Sequence, residues 1–441
     1  MHTPTLSPVG LDMLALDNGK AVVFVGVGGC GMRGLATFFL EAGWQVFGCD
    51  ASPLAADDDL FALGLQWCDS NDIPFASWVV RSAAVPEADE VFAKCVEATA
   101  RPCLYAEFLG EISRIRPVLA VAGTHGKTTC TAWIAYGLRE AGIEVGYLVG
   151  AKVPQLNSSS SWGDPALPLI IESCEYARSF HFLHPQKVAL INVAAEHPDT
   201  YPGGLPEVRQ SFADFLGNTE ATGCVFAGPE APDDLQKSTQ ADWYRCSSLS
   251  ADTKLGLFGE HNRSNAALVA AVLNDFGLND SQIAHALKSF KGAARRLELL
   301  KEVSVDGGSI KLVSDYAHHP TEVSATINSA KERWPNASIN VVFQPHQAQR
   351  FSDYRNLYAA CLDQADMVAV LPIFRARDVE SCQADSKDLL PDLIARHPQR
   401  LHHFDLQVEY SIEWTLAHSK PGAVVLCLGA GDIDGYIRKI H

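Results

Sequence analysis

The stretch from Val118 to Thr131, Val-Leu-Ala-Val-Ala-Gly-Thr-His-Gly-Lys-Thr-Thr-Cys-Thr, carries side chains whose types and spacing suit phosphate chemistry. Gly123, Thr124, His125, Gly126, Lys127, Thr128 and Thr129 make a glycine-punctuated turn. In such a turn backbone N–H groups face an anion, Lys127 adds a positive charge, and the Thr128 hydroxyl can reach Mg2+. The generic phosphate-loop pattern asks for a glycine where this chain has Val121, so the chemistry matches and the generic pattern does not. The flanking elements are those a phosphate loop needs. Val118–Ala122 is an apolar run that reads as a buried strand, and Trp133, Ile134, Gly137 and Leu138 recur at helical spacing behind the turn.

Further polar residues fall just past predicted strand ends. Leu169–Ile171 runs into Glu172-Ser173-Cys174-Glu175, and Lys187–Asn192 runs into Ala195-Glu196-His197-Pro198-Asp199. Acidic and histidine side chains in these places suit Mg2+, which prefers carboxylates, waters and phosphate oxygens. His197 taken singly fits a hydrogen-bonded structural histidine equally well. Leu205, Val208, Phe212, Phe215 and Leu216 mark an amphipathic helix whose apolar face is core. Ser158–Ser161 reads as a loop.

Nearer the N-terminus, Lys20–Val25 reads as a strand, Gly26-Val27-Gly28-Gly29-Cys30-Gly31-Met32-Arg33-Gly34 as a glycine turn, and the residues to about Ala42 as a helix. A second strand, Gln45–Cys49, ends at Asp50. The glycines let backbone approach a diphosphate, and Asp50 can accept from a ribose or base. The pattern suits a nicotinamide dinucleotide, a UDP-sugar or a purely structural turn. Ser77–Val80 is another strand, running into Arg81 and Ser82; residues 1–19 lead into the fold.

Residues 259–265, Gly-Glu-His-Asn-Arg-Ser-Asn, open an alanine-rich helix, where Asn262 and Asn265 read as caps. Lys291–Glu298 places Arg295 and Arg296 after a glycine turn, a hinge with an arginine available to phosphate or a solvated charge pair. The last region alternates again. Lys311–Ser314 precedes Asp315-Tyr316-Ala317-His318-His319-Pro320 and a helix from about Thr321. Ser338–Phe343 precedes Gln344-Pro345-His346-Gln347-Ala348-Gln349-Arg350, and Met367–Leu371 and Val424–Leu428 are further strands.

Composition narrows the classes. A length of 441 residues predicts two or three domains, and a formal net charge of −17 without a dense Lys/Arg run argues against nucleic-acid or membrane-surface partners. The 12 cysteines include no C-x-x-C pair and no signal peptide precedes them, so reduced thiols in the cytoplasm are expected. No apolar run is long enough to span a membrane.

Together the motifs resemble the Mur ligases, ATP-dependent amide-forming enzymes of peptidoglycan precursor synthesis. The resemblance runs in order through G-V-G-G-C-G-M at 26–32, G-T-H-G-K-T-T at 123–129, E-S-C-E-Y at 172–176 and E-H-P-D-T-Y at 196–201. It continues through G-E-H-N-R-S-N at 259–265, G-A-A-R-R-L-E at 292–298, D-Y-A-H-H-P-T-E at 315–322 and F-Q-P-H at 343–346. It implies an α/β chain of three domains: a Rossmann-like UDP-sugar domain at 1–112, a central P-loop ATPase-like domain at 113–292, and a Rossmann-like C-terminal domain at 293–441. It implies ATP and Mg2+ as cofactors, UDP-N-acetylmuramate and a small amino acid as substrates, and a monomer or homodimer.

By the same resemblance Gly28, Gly29, Gly31, Met32, Asp50 and Ser82 contact the UDP-sugar, and residues 123–129 hold the ATP phosphates with Lys127 and Thr128 foremost. Thr128, Glu172 and His197 are implied metal ligands. Asn262 is placed at adenine, Arg296 at the nucleotide phosphates and Asp315 at the ribose. Tyr316, His318, His346 and Arg350 line the amino-acid side, with Lys127, Glu172, His197, Arg296 and His318 as the catalytic set.

The branch that adds L-alanine lacks the carbamylated lysine of several relatives, and Leu205–Leu216 has no lysine here. Four positions depart from the family pattern: Cys174 and Ala177 replace acidic residues, Ala194 replaces a glutamate, and Gln347 stands where the L-alanine branch has an arginine. The segment Cys224–Phe258 is also shorter than the family's. Competing readings are a recycling ligase that adds a tripeptide, suggested by Tyr176 but not by Gln344-Pro345-His346, a dinucleotide-dependent oxidoreductase, and a binding protein that has lost turnover.

Overall fold

The computed structural model describes residues 21–69, 72–98, 101–375 and 382–440, so the expectations for residues 1–19 and Lys20 lie outside the described residues. The chain divides into two compact units, Met1–Gly256 with Arg263–Lys291, and Leu257–Asn262 with Gly292–His441.

The first unit holds two sheets. One is built from β1 (Ala21–Val25), β2 (Gln45–Cys49), β3 (Gln66–Trp67), β4 (Trp78–Arg81) and β5 (Pro102–Leu104), all parallel in the order β3-β2-β1-β4-β5. The other contains β6 (Val118–Ala122), β7 (Tyr147–Val153), β8 (Ser158–Ser161), β9 (Leu169–Ser173), β10 (Lys187–Asn192), β11 (Cys224–Glu230) and β12 (Asp242–Arg245). Its order is β12-β11-β10-β6-β9-β7-β8, parallel except for the β7–β8 pair. β1 and β6 are buried along their whole length, which is why they read as unbroken apolar runs.

The four serines of β8 overturn the loop expectation. They pair antiparallel with β7 through Tyr147↔Ser161, Leu148↔Ser160 and Val153↔Ser158. Edge pairing and tertiary context outweigh the weak strand preference of serine. The helix Leu205–Gly217 buries Val208, Phe212, Phe215 and Leu216 as expected, but Leu205 is exposed.

One apolar cluster runs through both sheets of this unit, from Val22, Phe24, Phe38 and Phe39 to Val118, Ala120, Phe212 and Phe215. Trp162 bridges them: its ring lies 4.7 Å from that of Phe38, and its backbone N–H donates to Glu41 Oε2 at 2.8 Å.

The second unit is built on β13 (Glu298–Val305), β14 (Gly308–Asp315), β15 (Ile339–Phe343), β16 (Met367–Val370), β17 (Leu401–Phe404) and β18 (Val424–Leu428), in the order β13-β14-β18-β15-β16-β17. Only the β13–β14 pair is antiparallel. Separate apolar clusters, one around Val341 and Phe343 and one around Val342 and Val425, cover the two faces of this sheet. The fold is the mixed α/β architecture with three sheets that the motifs imply. Among the described residues no helix is long and apolar enough to cross a membrane.

Candidate active site

In an open parallel sheet, ligands collect beyond the strand C-termini where the strand order reverses. In the seven-stranded sheet β6 sits between β10 and β9, and the chain crosses over it from β9 to β10. The loops after β6 and β10 carry the phosphate turn and His197, and β9 ends in Glu172 and Ser173 before Cys174 and Glu175.

The helix Lys127–Glu140 begins directly after Gly126, which takes φ +86° and contributes no side-chain cap. An uncapped helix N-terminus leaves first-turn N–H groups for an anion. A Cβ at Gly126 would lie 3.0 Å from Asn265 Oδ1, and one at Gly123 would lie 2.9 Å from Ile191 Cβ. Gly126→Ala therefore combines left-handed backbone strain with a shifted Asn265. A loss of about 1–2 kcal/mol in unfolding free energy is expected by chemical denaturation. Asn192 pins the turn from β10: it accepts from the His125 N–H at 3.0 Å and donates to the His125 carbonyl at 3.3 Å. Thr124 Oγ1 accepts from the Ala194 N–H at 2.9 Å.

Lys127 Nζ folds back onto its own loop, donating to the carbonyls of Gly123 at 2.7 Å and Thr124 at 3.0 Å. It also pairs with Glu175 Oε2 at 2.7 Å, where the Glu175 side chain is 1% exposed. Glu175 Oε1 lies 3.4 Å from His197 Nε2. Burial favours the neutral form of both partners, but their mutual attraction outweighs it. Lys127 is held above the ordinary lysine range, against burial, chiefly by Glu175. Glu175 is held below the ordinary carboxylate range, against burial, by Lys127 and His197. Both stay charged.

Glu172 sits on the other side of the helix start. Its Oε1 accepts from Thr128 Oγ1 at 2.8 Å and its Oε2 from the Gly150 N–H at 2.7 Å. Thr128 and Glu172 are thus brought together as oxygen donors. The third expected ligand, His197, is placed against Glu175 and against the Tyr176 ring at 5.1 Å. His197 takes φ +53°, and Ala177 and Arg178 take φ +50° and +54°, so left-handed backbone clusters in the loops that follow β9 and β10. Hard oxygen donors and an uncapped N-terminus beside a buried lysine fit a magnesium-bound polyphosphate.

In the first sheet, Gly26 takes φ +87° and Gly29 precedes the helix Cys30–Glu41. Asp50 Oδ2 accepts from the Gly28 N–H at 2.8 Å. A Cβ at Gly31 would lie 3.3 Å from the Tyr105 ring, and one at Gly26 would lie 3.0 Å from Ser82 Cβ, so Ser82 abuts the turn. The Met32 side chain is buried in the apolar cluster, because helical spacing turns it inward with Leu35, Ala36 and Phe39, so any contact with a ligand falls to its main chain in the first turn of the helix.

In the second unit, both Asp315 oxygens accept backbone N–H groups, Oδ2 from Leu297 and Oδ1 from Ala317, at 2.7 and 2.8 Å. Burial pushes this carboxyl up, opposed by Arg296 and those two bonds. Arg295 lies over the Tyr316 ring at 4.7 Å and Arg296 at 5.4 Å. Gly292, Arg295 and Leu297 take φ +101°, +57° and +46°, so left-handed backbone surrounds the two arginines.

His318 and His346 rings lie 5.5 Å apart, and Tyr316 packs 5.4 Å from His318. Burial, with His318, Arg350 and Arg295, pushes His346 down to about 4, so it is neutral at physiological pH. Arg350 is buried in the first turn of the helix Ala348–Leu362, and Gln347, at φ +64°, occupies its N-cap position without a side-chain cap bond. Asn262 does not cap a helix; its Nδ2 donates to the Phe258 carbonyl at 2.8 Å. Asn265, also read as a cap, is buried inside the helix Glu260–Asp275.

Sequence reasoning read Glu175 only as one of the acidic residues past a strand end, gave Asn192 no role, and read Asn265 as a cap. Their signals were a second carboxylate in Glu-Ser-Cys-Glu, a polar residue closing an apolar strand, and an asparagine three residues after another.

Solved structures of the same architecture are ligases. A UDP-N-acetylmuramate-alanine ligase from Thermotoga maritima matches with 23% identity and TM-score 0.77, covering 95% of this chain and 97% of its own. A murein peptide ligase from Psychrobacter arcticus matches with 22% identity and TM-score 0.67, covering 96% and 99%. A folylpolyglutamate synthase from Mycobacterium tuberculosis, complexed with ADP and AMPPCP, matches with 14% identity and TM-score 0.55, covering 75% and 92%. At these identities the likeness establishes the fold. Sequence models carry it further: the Mur ligase family catalytic domain matches residues 21–116, and the Mur ligase glutamate ligase domain matches residues 295–431. The chain belongs to the Mur ligase family, a family of ATP-dependent ligases.

Proposed function

We propose that the chain is an ADP-forming ligase that joins L-alanine to the carboxylate of UDP-N-acetylmuramate through an acyl phosphate. The observation that carries this reading is the Lys127–Glu175–His197 chain beside the uncapped helix start, with Glu172 hydrogen-bonded to Thr128 in the first turn of that helix. A carboxylate is a poor electrophile toward an amine, and phosphorylation by ATP converts it into an acyl group with a good leaving group. Phosphoryl transfer demands positioning and charge neutralisation more than covalent chemistry. When bound, Mg2+ supplies charge neutralisation at the transferred phosphoryl group.

The chain's own residues do the rest. Residues 123–129 seat the phosphates with their backbone N–H groups, and Lys127 transfers its ammonium from the loop carbonyls to the phosphate oxygens. Thr128, Glu172 and His197 hold the metal, Asn262 contacts adenine and Arg296 the phosphates. Asp315 ties the residue before β13 to the residues after β14 through the Leu297 and Ala317 N–H groups and offers its remaining lone pairs to the ribose. Gly28, Gly29 and Gly31, with Asp50 and Ser82, receive the UDP-sugar. Tyr316, His318, His346 and Arg350 receive the amino acid, and a neutral His346 avoids repelling its ammonium group.

ADP release with Mg2+-ATP and UDP-N-acetylmuramate, measured separately with L-alanine, glycine, L-serine and L-Ala-γ-D-Glu-diaminopimelate, tests the reading. Release with L-alanine is expected. Release only with the tripeptide would make the chain a recycling ligase, a reading suggested by Tyr176 at the end of Glu-Ser-Cys-Glu-Tyr. Nucleotide binding without release would make it a binding protein.

Gln347 bears on the acceptor. In Gln347→Arg an added guanidinium can grip the incoming α-carboxylate, a charge-assisted bond of about 1.5–3 kcal/mol. The amino-acid KM is expected to fall about tenfold or more with little change in kcat; an unchanged or higher KM in steady-state assays would refute the argument.

A further inference from the structure

Away from the site described above, three cysteines meet on one face of the first sheet. Cys49 ends β2. The parallel register Phe47↔Gln66 and Gly48↔Trp67 brings Cys68 beside it, and the Cys68 N–H donates to the Gly48 carbonyl at 3.0 Å. Cys95 comes from the helix Glu90–Ala98. All three are buried in one cluster with Val23, Val25, Val79 and Phe92, and side-chain hydrogen bonding links the Cys49 thiol to those of Cys68 and Cys95.

We propose that Cys49 and Cys95 form a reversible disulfide on reaction with peroxide, and that this bond acts on the glycine turn at 26–28. Hydrogen bonding from Cys49 holds the Cys95 thiol below its ordinary range despite burial, while Cys68, Cys95 and burial push Cys49 up. One thiol of the pair is the nucleophile and the other resolves the sulfenic acid it forms.

The thiolate of one cysteine of the pair attacks one peroxide oxygen. The S–O bond forms, the O–O bond breaks, and hydroxide leaves to take up a proton as water. The second thiol then attacks the sulfenic sulfur. The S–S bond forms, the S–O bond breaks, and the departing hydroxide takes the second thiol's proton. Two thiols are oxidised by two electrons, and one hydrogen peroxide is reduced to two waters. Entry of so small an oxidant needs only local opening. β3 is two residues long and lies at the sheet edge, where such opening is easiest.

The link to the turn is direct. The Cys49 carbonyl accepts from the N–H groups of Gly26 at 2.8 Å and Val27 at 3.1 Å, and the next residue, Asp50, accepts from Gly28 at 2.8 Å. A disulfide at Cys49 pulls on the strand end that organises the turn. The chemistry stands on the thiol cluster alone; its effect on UDP-sugar binding rests on the reading proposed above.

The test treats the reduced full-length protein with one equivalent of hydrogen peroxide, then maps peptides and follows amide hydrogen exchange. A Cys49–Cys95 linkage is expected, lowering the mass by about 2 Da and reversed by dithiothreitol. Exchange at Gly26 and Val27 should rise several-fold in the oxidised form. Cys95→Ala should abolish both responses, and Cys49→Ser serves if that variant does not fold; Cys103→Ala should abolish neither. No thiol loss, or Cys49 joined to another cysteine, would overturn the disulfide. A Cys49–Cys95 bond with unchanged exchange at Gly26 and Val27 would overturn the coupling. Altered exchange with unaltered UDP-N-acetylmuramate affinity would instead refute the UDP-sugar reading of the turn.

Discussion

Lys127→Ala is expected to lower product formation by at least about a thousandfold, to the limit of an ADP-release or product assay. Removing a preorganised charge from a developing phosphoryl transition state costs on the order of 10²–10³ in rate, and here the same side chain also orders the loop. Its ammonium spans the carbonyls of Gly123 and Thr124 and the Glu175 carboxylate, so the substitution removes charge and scaffold together. Lys127→Arg should recover little, because a planar guanidinium cannot reproduce a compact ammonium among three oxygens. Full activity in Lys127→Ala would sink the phosphate-loop assignment.

The second large effect is on stability. Glu175→Ala leaves the Lys127 ammonium buried without its carboxylate, and Lys127→Ala leaves Glu175 in the converse position. Each is expected to cost about 3–5 kcal/mol in unfolding free energy by denaturant titration. The double variant Lys127→Ala/Glu175→Ala removes both charges and should lose much less than the sum, while staying inactive. That cycle separates the two roles of Lys127: stability returns and turnover does not. Additive losses would mean that the pair is not coupled.

The pair also fixes the direction of the pH dependence. The folded Glu175 value lies below the unfolded one, so its contribution is present above the ordinary carboxylate pKa of about 4.3 and is lost as pH falls through the depressed value. The folded Lys127 value lies above the unfolded one, so its contribution is present below about 10.4 and is lost as pH rises through the raised value. The stability difference between the wild-type chain and the double variant should be flat across neutral pH and shrink toward both extremes.

Much of the fold was legible because its central strands are buried on both faces. Val118–Ala122, Gln45–Cys49 and Lys187–Asn192 have the observed bounds of β6, β2 and β10, and the glycine turns stood out where only glycine fits. Ser158–Ser161 was illegible because an edge strand of serines carries no apolar signal and is held by pairing with β7. Met32 sat inside a motif whose backbone was the informative part, so its inward side chain was hidden. The Lys127–Glu175 pair could not be read from one sequence: it depends on the register that sets Val121 beside Glu172 and Ala122 beside Ser173. Asn265 was visible as a helix-start asparagine, but its position against Gly126 is a tertiary fact.

The adjacency of β10, β6 and β9 has a consequence for variation in length. Neighbouring strands stand about 4.8 Å apart whatever joins them. The roots of the phosphate turn, the Glu172 strand end and the His197 loop are therefore metered by the main-chain ladder, one repeat on either side of β6. The connecting segments set no distance within the triplet. Residues can be added or removed in the remote bends of those crossovers without altering the ruler. Single-residue changes in register between β6 and either neighbour would alter it at once.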